Sequence, residues 1–203
     1  MPGSIRIVAM GDSTTAGTPG WKSPIESPTA GAGDCTSQYA YWVMPAHSGW
    51  DVLNRGVSGE RSDEIRARFD RDVLHARPAA VVIIAGVNDV YQGRPARQVT
   101  TNLAWMYDRA SGAGIRVVAG TIIPYNSATP DQNSRMHEVN RWIRETSEQD
   151  TRLVYVDTRA AVAAAADGDQ LSESPDGLHP SPAGYRRMAD VIGPALERAL
   201  RQR

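Results

Sequence analysis

Residues 7–17 read IVAMGDSTTAG, and how this stretch is read decides the fold. The apolar run from Ile5 to Met10 stops at Gly11 and gives way at once to Asp12 and Ser13. Apart from Arg6 the run is apolar, a near-continuous pattern that suits a strand covered on both faces, as in a parallel sheet. The polar residues then stand at its carboxyl end. Ser13 is either a hydroxyl presented at a strand mouth or part of a turn in which Asp12 or Ser13 caps the next helix.

The rest of the chain repeats this pattern. Ala79–Ala85, Ile115–Ile123 and Leu153–Val156 are further apolar runs rich in valine and isoleucine, and Asp51–Arg55 is a weaker one. Helical spacing lies between them. Ile65, Phe69 and Val73 share a face, with Ser62 as the expected cap. Leu103, Met106 and Ala110 form a stripe that ends at Gly112 and Gly114. Met136, Val139, Ile143 and Thr146 form another. The last helix opens with Ser181 as cap and Pro182 in its first turn. Alternating strands and helices predict an α/β protein: a three-layer α/β/α sandwich around a central parallel sheet of about five strands. The 203 residues suffice for a single domain, taken here as 1–203. Residues 18–38, TPGWKSPIESPTAGAGDCTSQ, are too rich in Pro, Gly and Ser for a regular element and too many for a plain connection. They predict a functional surface loop.

Composition narrows the function classes. The net charge of −1 gives no basic surface for nucleic acid or an anionic membrane, although 22 basic residues include a single lysine, Lys22. One cysteine, Cys35, excludes an internal disulfide and a multi-cysteine metal site. No apolar run reaches the roughly 18–20 residues that span a bilayer, and no signal peptide is visible. The expectation is a cytoplasmic protein by default, or a secreted one if a leader was removed. Oligomeric state is not readable.

In open α/β sheets ligands bind beyond the carboxyl ends of the strands. The polar residues there are Gly11-Asp12-Ser13, then NRGVSGE with Gly56, then GVND from Gly86 to Asp89. DGLHPS, with Asp176 and His179, follows the last strand after a loop. Acyl transfer needs a hydroxyl nucleophile, a base, a carboxylate to orient it and donors for an oxyanion. Ser13, His179 and Asp176 fill the first three roles. The Ser13 and Gly56 N–H groups and the Asn88 amide fill the fourth. Each cluster alone also reads as a turn or a cap; together, in this order, they fill every role.

These blocks resemble those of the SGNH, or GDSL-type, serine hydrolases. Gly11 to Gly17 match Gly-Asp-Ser-x-x-x-Gly, Gly86 to Asp89 match Gly-x-Asn-Asp, Asp176 to His179 match Asp-x-x-His, and the glycine block falls around Gly56. Thr14 departs from the leucine of many members. The resemblance runs from Ile5 to about Leu200. It implies a flavodoxin-like fold and a cofactor-independent esterase with Ser13 as nucleophile, His179 as base, Asp176 as its orienter, and Gly56 and Asn88 as oxyanion donors. The absence of an apolar lid favours short-chain carboxylic esters. Carbohydrate O-deacetylation and lysophospholipase or thioesterase-like acyl hydrolysis are the alternatives. The expected partner is a small ester or an acetylated sugar, with no metal. A non-catalytic binding module on the same fold is the reading from another class, and the intact Ser, Asn, Asp and His set argues against it.

Several rivals are weaker. GVSGE around Ser58 has Glu60 in place of the last glycine of another nucleophile elbow. HEVNR has Arg141 where a zinc-protease helix needs a second histidine, so His137 reads as an exposed or half-buried helix residue. His47 and His75 read as structural. GAGDCT, ending in Thr36, is no dinucleotide fingerprint. Asp167 and Asp169 read as solvated, or at most as a weak cation site. Asp157 is the rival orienter of His179, Asp89 a brace for the Asn88 loop, and Trp21 a possible overhang of the site.

Overall fold

In the computed structural model, which describes residues 4–202, five parallel strands form one sheet. They are β1 (Ile5–Gly11), β2 (Trp50–Gly56), β3 (Ala80–Ile84), β4 (Arg116–Gly120) and β5 (Leu153–Val156). Their spatial order is β2-β1-β3-β4-β5, all pairs parallel. The chain leaves β1 for the sheet edge and returns to β3 on the other side. This reversal opens a crevice above the carboxyl ends of β1 and β3.

The strand sequences explain the three layers. Val8 and Met10 of β1 belong to one buried cluster, Ile7 and Ala9 to the other. Alternate side chains of a strand point to opposite faces, so a strand buried on both sides must be apolar throughout. On one face lie α3 (Ser62–Ala67), α5 (Ala96–Gly112) and α6 (Pro130–Gln149), through Ile65, Leu103, Met106, Val139 and Ile143. On the other lie α2 (Tyr39–Ala46), α7 (Thr158–Val162) and α8 (Pro182–Arg201), through Tyr39, Val43, Val162, Tyr185, Met188 and Ile192. No described helix is long and apolar enough to cross a membrane.

Helix ends follow local chemistry. Ser181 Oγ accepts from Gly184 N–H, and Pro182 opens α8 as expected. Thr129 caps α6 in the same way, with Gln132 reaching back to the Thr129 N–H. Ser62 departs from expectation. It is the first residue of α3 rather than its cap, and its hydroxyl donates to Asp89 instead. Glu64 accepts from the Arg61 N–H at that end. The helix also stops at Ala67, and a wider π-type turn over Asp70–Leu74 follows. Phe69 and Val73 stay buried, while the Arg68 guanidinium turns inward to Glu60, Asp72 and the carbonyls of Gly11 and Arg55. Arg68 thus ties the carboxyl ends of β1 and β2 together.

Residues 18–38 form a two-rung ribbon, Trp21–Lys22 against Ala32–Gly33, and a 3₁₀ turn at Cys35–Ser37. The ribbon lies beside the carboxyl end of β2, where Ser23 Oγ donates to Gly56 O at 2.6 Å.

Candidate active site

β1 ends at Gly11, and the chain turns at once into the one-turn helix α1 (Ser13–Ala16). The Asp12 carboxylate makes this turn by accepting from Thr14 N–H at 2.9 Å, and Asp12 O accepts from Thr15 and Ala16 N–H. Gly17, at φ 109°, closes it. The two readings of GDS are therefore compatible: Asp12 caps and Ser13 presents its hydroxyl. Asp12 is 1% exposed, with one carboxyl oxygen lacking a partner. Burial pushes its pKa up to about 7, against the opposing Thr14 hydrogen bonds and with help from Asp89 and Glu60.

His179 and Asp176 arrive on the turn that precedes α8. His179 Nε2 lies 2.9 Å from Ser13 Oγ, and Nδ1 lies 2.7 Å from Asp176 Oδ2. An ionised carboxylate only accepts, so Nδ1 carries the proton and Nε2 is free to accept from the serine hydroxyl. The other Asp176 oxygen accepts from the Leu178 and His179 N–H groups. Burial raises the Asp176 pKa. The hydrogen bonds from His179 and the two backbone N–H groups outweigh it and hold the pKa below the ordinary carboxylate value. Ser174 Oγ fixes the turn from beneath, accepting from Gly177 N–H and donating to His179 O.

Asn88 sits in the short helix α4 (Val87–Tyr91) that follows β3. One of its amide N–H groups donates to Glu60 O at 2.9 Å. Asp89 braces this start, accepting from the Ser62 N–H at 2.7 Å and hydroxyl at 2.8 Å.

Gly56 does not meet its expectation as an oxyanion donor. Its N–H donates to Asn54 Oδ1 at 2.9 Å, two residues back in the same strand. Its lack of a side chain serves packing, since a Cβ there would lie 2.0 Å from Ala16 N. The glycine that faces the site is Gly59, three residues on, at φ 80°. Among the described residues the Ser13 and Gly59 N–H groups have no protein acceptor. The sequence held both glycines of NRGVSGE. Asn54, spaced to bond the Gly56 N–H, was the signal against Gly56.

The rivals fall elsewhere. Asp157 caps α7 through Ala160 N–H and pairs with Arg144, away from His179. Ser58 Oγ bonds Thr18 Oγ1 at 2.6 Å and has no histidine partner. Asp169 is taken by Arg159 and His137. Trp21 packs on Gly31 in the ribbon and does not reach the cavity.

A cavity of about 230 Å³ opens over Ser13 and His179. Asn88 and Gly59 line it on one side, and Val87, Tyr91, Tyr125 and Leu178 supply apolar walls. Tyr91 and Leu178 are among the few large apolar side chains left exposed.

The family model for the GDSL-like lipase/acylhydrolase family matches residues 9–187. The chain belongs to that family. GDSL-like acylhydrolases are carboxylic ester hydrolases, and two of the relatives carry such names. Esterase TesA of Pseudomonas aeruginosa is 29% identical over 160 residues, 76% of this chain and 75% of that one. An acetylxylan esterase of Geobacillus stearothermophilus is 25% identical over 151 residues, 68% of each chain. An uncharacterized lipoprotein, YqeF of Bacillus subtilis, is 30% identical over 125 residues, 58% of this chain but only 48% of its own length. A crystal structure of a GDSL-like lipase from Bacteroides thetaiotaomicron superposes with a TM-score of 0.77 at 24% identity, covering 96% of this chain and 89% of that one. The GDSL-like fold is thus the three-layer sandwich expected from the strand pattern.

Proposed function

We propose that the protein hydrolyses short-chain carboxylic esters through an acyl-enzyme on Ser13. The observation that carries this reading is the continuous relay Asp176–His179–Ser13, at 2.7 and 2.9 Å, opening into a small cavity with apolar walls. Ser13 Oγ attacks the ester carbonyl as His179 Nε2 takes its proton. The tetrahedral oxyanion is received by the N–H groups of Ser13 and Gly59 and by the second N–H of the Asn88 amide. The C–O bond breaks and the imidazolium returns the proton to the leaving alcohol. Water then attacks the acyl-serine, giving its proton to His179; the bond to Ser13 Oγ breaks, the imidazolium returns the proton to Oγ, and the acid leaves. Asp176 fixes the imidazole tautomer and stabilises its positive form.

The size of the cavity supports a small acyl group. At about 230 Å³ it falls below the roughly 300–1,000 Å³ of sites that enclose a drug-sized ligand. A second reading, removal of acetyl groups from a sugar, is favoured by Tyr91. This ring stands 56% exposed at the mouth of the cavity, where a pyranose face can lie on it. The named acetylxylan esterase relative agrees with that chemistry.

The test is covalent labelling with a fluorophosphonate followed by peptide mapping. Label is expected on Ser13, and Ser13→Ala should lose both label and p-nitrophenyl acetate hydrolysis. Label on Ser58, or hydrolysis undiminished in Ser13→Ala, would refute the assignment.

A further inference from the structure

We propose that Glu26, from the 18–38 segment, is a positioning residue that sets the oxyanion-binding turn; this inference rests on the hydrolase reading above. The turn in question is Val57–Glu60, which carries the Gly59 N–H to the cavity wall. Packing does not fix its tip. A Cβ added at Gly59 would meet no atom within 4 Å, and φ 80° leaves the residue in the left-handed region. The position of the Ser58–Gly59 peptide must therefore come from hydrogen bonds.

The ends of the turn are held by Val57 N–H to Gly11 O and by the Asn88 amide to Glu60 O, and the Ser58 side of its tip by residues 18–38. The Glu26 carboxylate accepts from Ser58 N–H at 2.7 Å through one oxygen, and from Ser23 N–H at 3.1 Å through the other. Ser23 is fully buried and its hydroxyl holds Gly56 O. The Glu26 and Ser27 N–H groups both return to Ser23 O, so the acid is presented on a tight turn. Thr18 Oγ1 holds the Ser58 hydroxyl, and Tyr185 of α8 holds Thr18 O at 3.1 Å. Of these contacts, only Glu26 grips the backbone of the residue before Gly59. A charged acceptor makes the stronger kind of hydrogen bond. Moving that peptide moves the Gly59 N–H relative to the place where the oxyanion forms.

The bland alternative is that Glu26 merely anchors the loop. The two differ in what removal does to turnover by folded protein. Glu26→Ala, Glu26→Gln and the shorter Glu26→Asp are compared with wild type, using p-nitrophenyl acetate, melting temperature and active-site titration with a fluorophosphonate. For Glu26→Ala we expect kcat per titrated site to fall about 10- to 100-fold with KM little changed. Outright loss of an oxyanion donor costs about 10²–10³, and misplacement by about 1 Å costs about 10². Glu26→Gln keeps an acceptor for Ser58 N–H and should recover most of kcat. Amide exchange at Ser58 should quicken in Glu26→Ala and stay slow in Glu26→Gln. If Glu26→Ala does not fold, the same fall in kcat is expected in Glu26→Asp. An unchanged kcat per titrated site in folded Glu26→Ala, or a rise in KM alone, overturns the proposal. Hydrolysis persisting in Ser13→Ala would instead overturn the Ser13 acyl-enzyme reading on which it rests, so the two failures are told apart.

Discussion

Asp12 caps the Ser13–Ala16 turn, and its burial makes a pH-dependent contribution to stability that one substitution isolates. Its carboxyl rises from an ordinary 3.8 to about 7 on folding. The protonated form is therefore the one the fold favours. The stabilisation is complete below pH 3.8 and is lost as pH rises through about 7, because the buried group must then ionise. At about 1.36 kcal/mol per pH unit, a rise of about 3 units corresponds to about 4 kcal/mol. Asp12→Asn keeps an acceptor for Thr14 N–H but cannot ionise. Its amide N–H is buried without a partner where Asp12 Oδ2 was, at a constant cost of about 1–3 kcal/mol. Carboxylates whose pKa is depressed on folding, such as Asp72, Asp169 and Asp176, act with the opposite sign. They are common to both proteins and cancel in the difference. Urea unfolding of wild type and Asp12→Asn from pH 4 to pH 8.5 measures that difference directly. The variant should gain on wild type as pH rises from 4 to about 7 and level off above it, by a total on the order of 3–4 kcal/mol. A difference independent of pH would show that Asp12 is not the buried acid inferred from the geometry.

Three further outcomes bear on catalysis. Asn88→Ala should lower kcat by roughly 10²–10³ while the fold persists, measured by steady-state kinetics with thermal unfolding as control. Asp176→Asn should lose one to several orders of magnitude in kcat near neutral pH, by analogy with the roughly 10⁴-fold loss in a known triad. Asp157→Asn should act on stability through the α7 cap, since the Asp157 carboxylate accepts from Ala160 N–H. The reverse result would reassign the orienting carboxylate. Across p-nitrophenyl esters kcat/KM should stop rising by about the hexanoyl chain, because each further methylene gains about 0.8 kcal/mol only while an apolar wall receives it. A continued rise through dodecanoyl would point to a long-chain acyl hydrolase.

Much of this was legible in the chain because burial on both faces writes itself as near-continuous apolar residues. β1 and β3 are read directly from Ile5–Met10 and Ala79–Ala85. β2 was faint because it is an edge strand whose side chains alternate between buried and partly exposed, with Asn54 and Arg55 inside it. Ser13, His179 and Asp176 stood out because their chemistry and their places after strands agreed, and the structure brings the three within hydrogen-bond reach of one another. Gly56 and Gly59 could not be ranked from the sequence alone. What separates them is the acceptor of one N–H, a tertiary fact with only Asn54 as a local hint. Ser62 looked like a cap for the same reason. Its hydroxyl found Asp89, 27 residues away, in preference to its own helix. Residues 18–38 stood out by composition as an irregular loop, but their grip on Ser58 lies in contacts spanning some thirty to forty positions.

The Ser13–His179 hydrogen bond joins positions 166 residues apart, one near each end of the chain. During synthesis the first strand and its serine emerge early, and the histidine emerges only shortly before the last helix. No nascent chain lacking the segment from Ser174 onward holds both partners. The pair therefore cannot form before the turn that carries His179 has been made, and until then a growing chain on the ribosome carries an unpaired serine. The same separation makes the protein divisible: cut in an exposed loop between β3 and β5, each piece carries one partner of the pair. Restored hydrolysis on mixing would then report reassembly of the sheet itself.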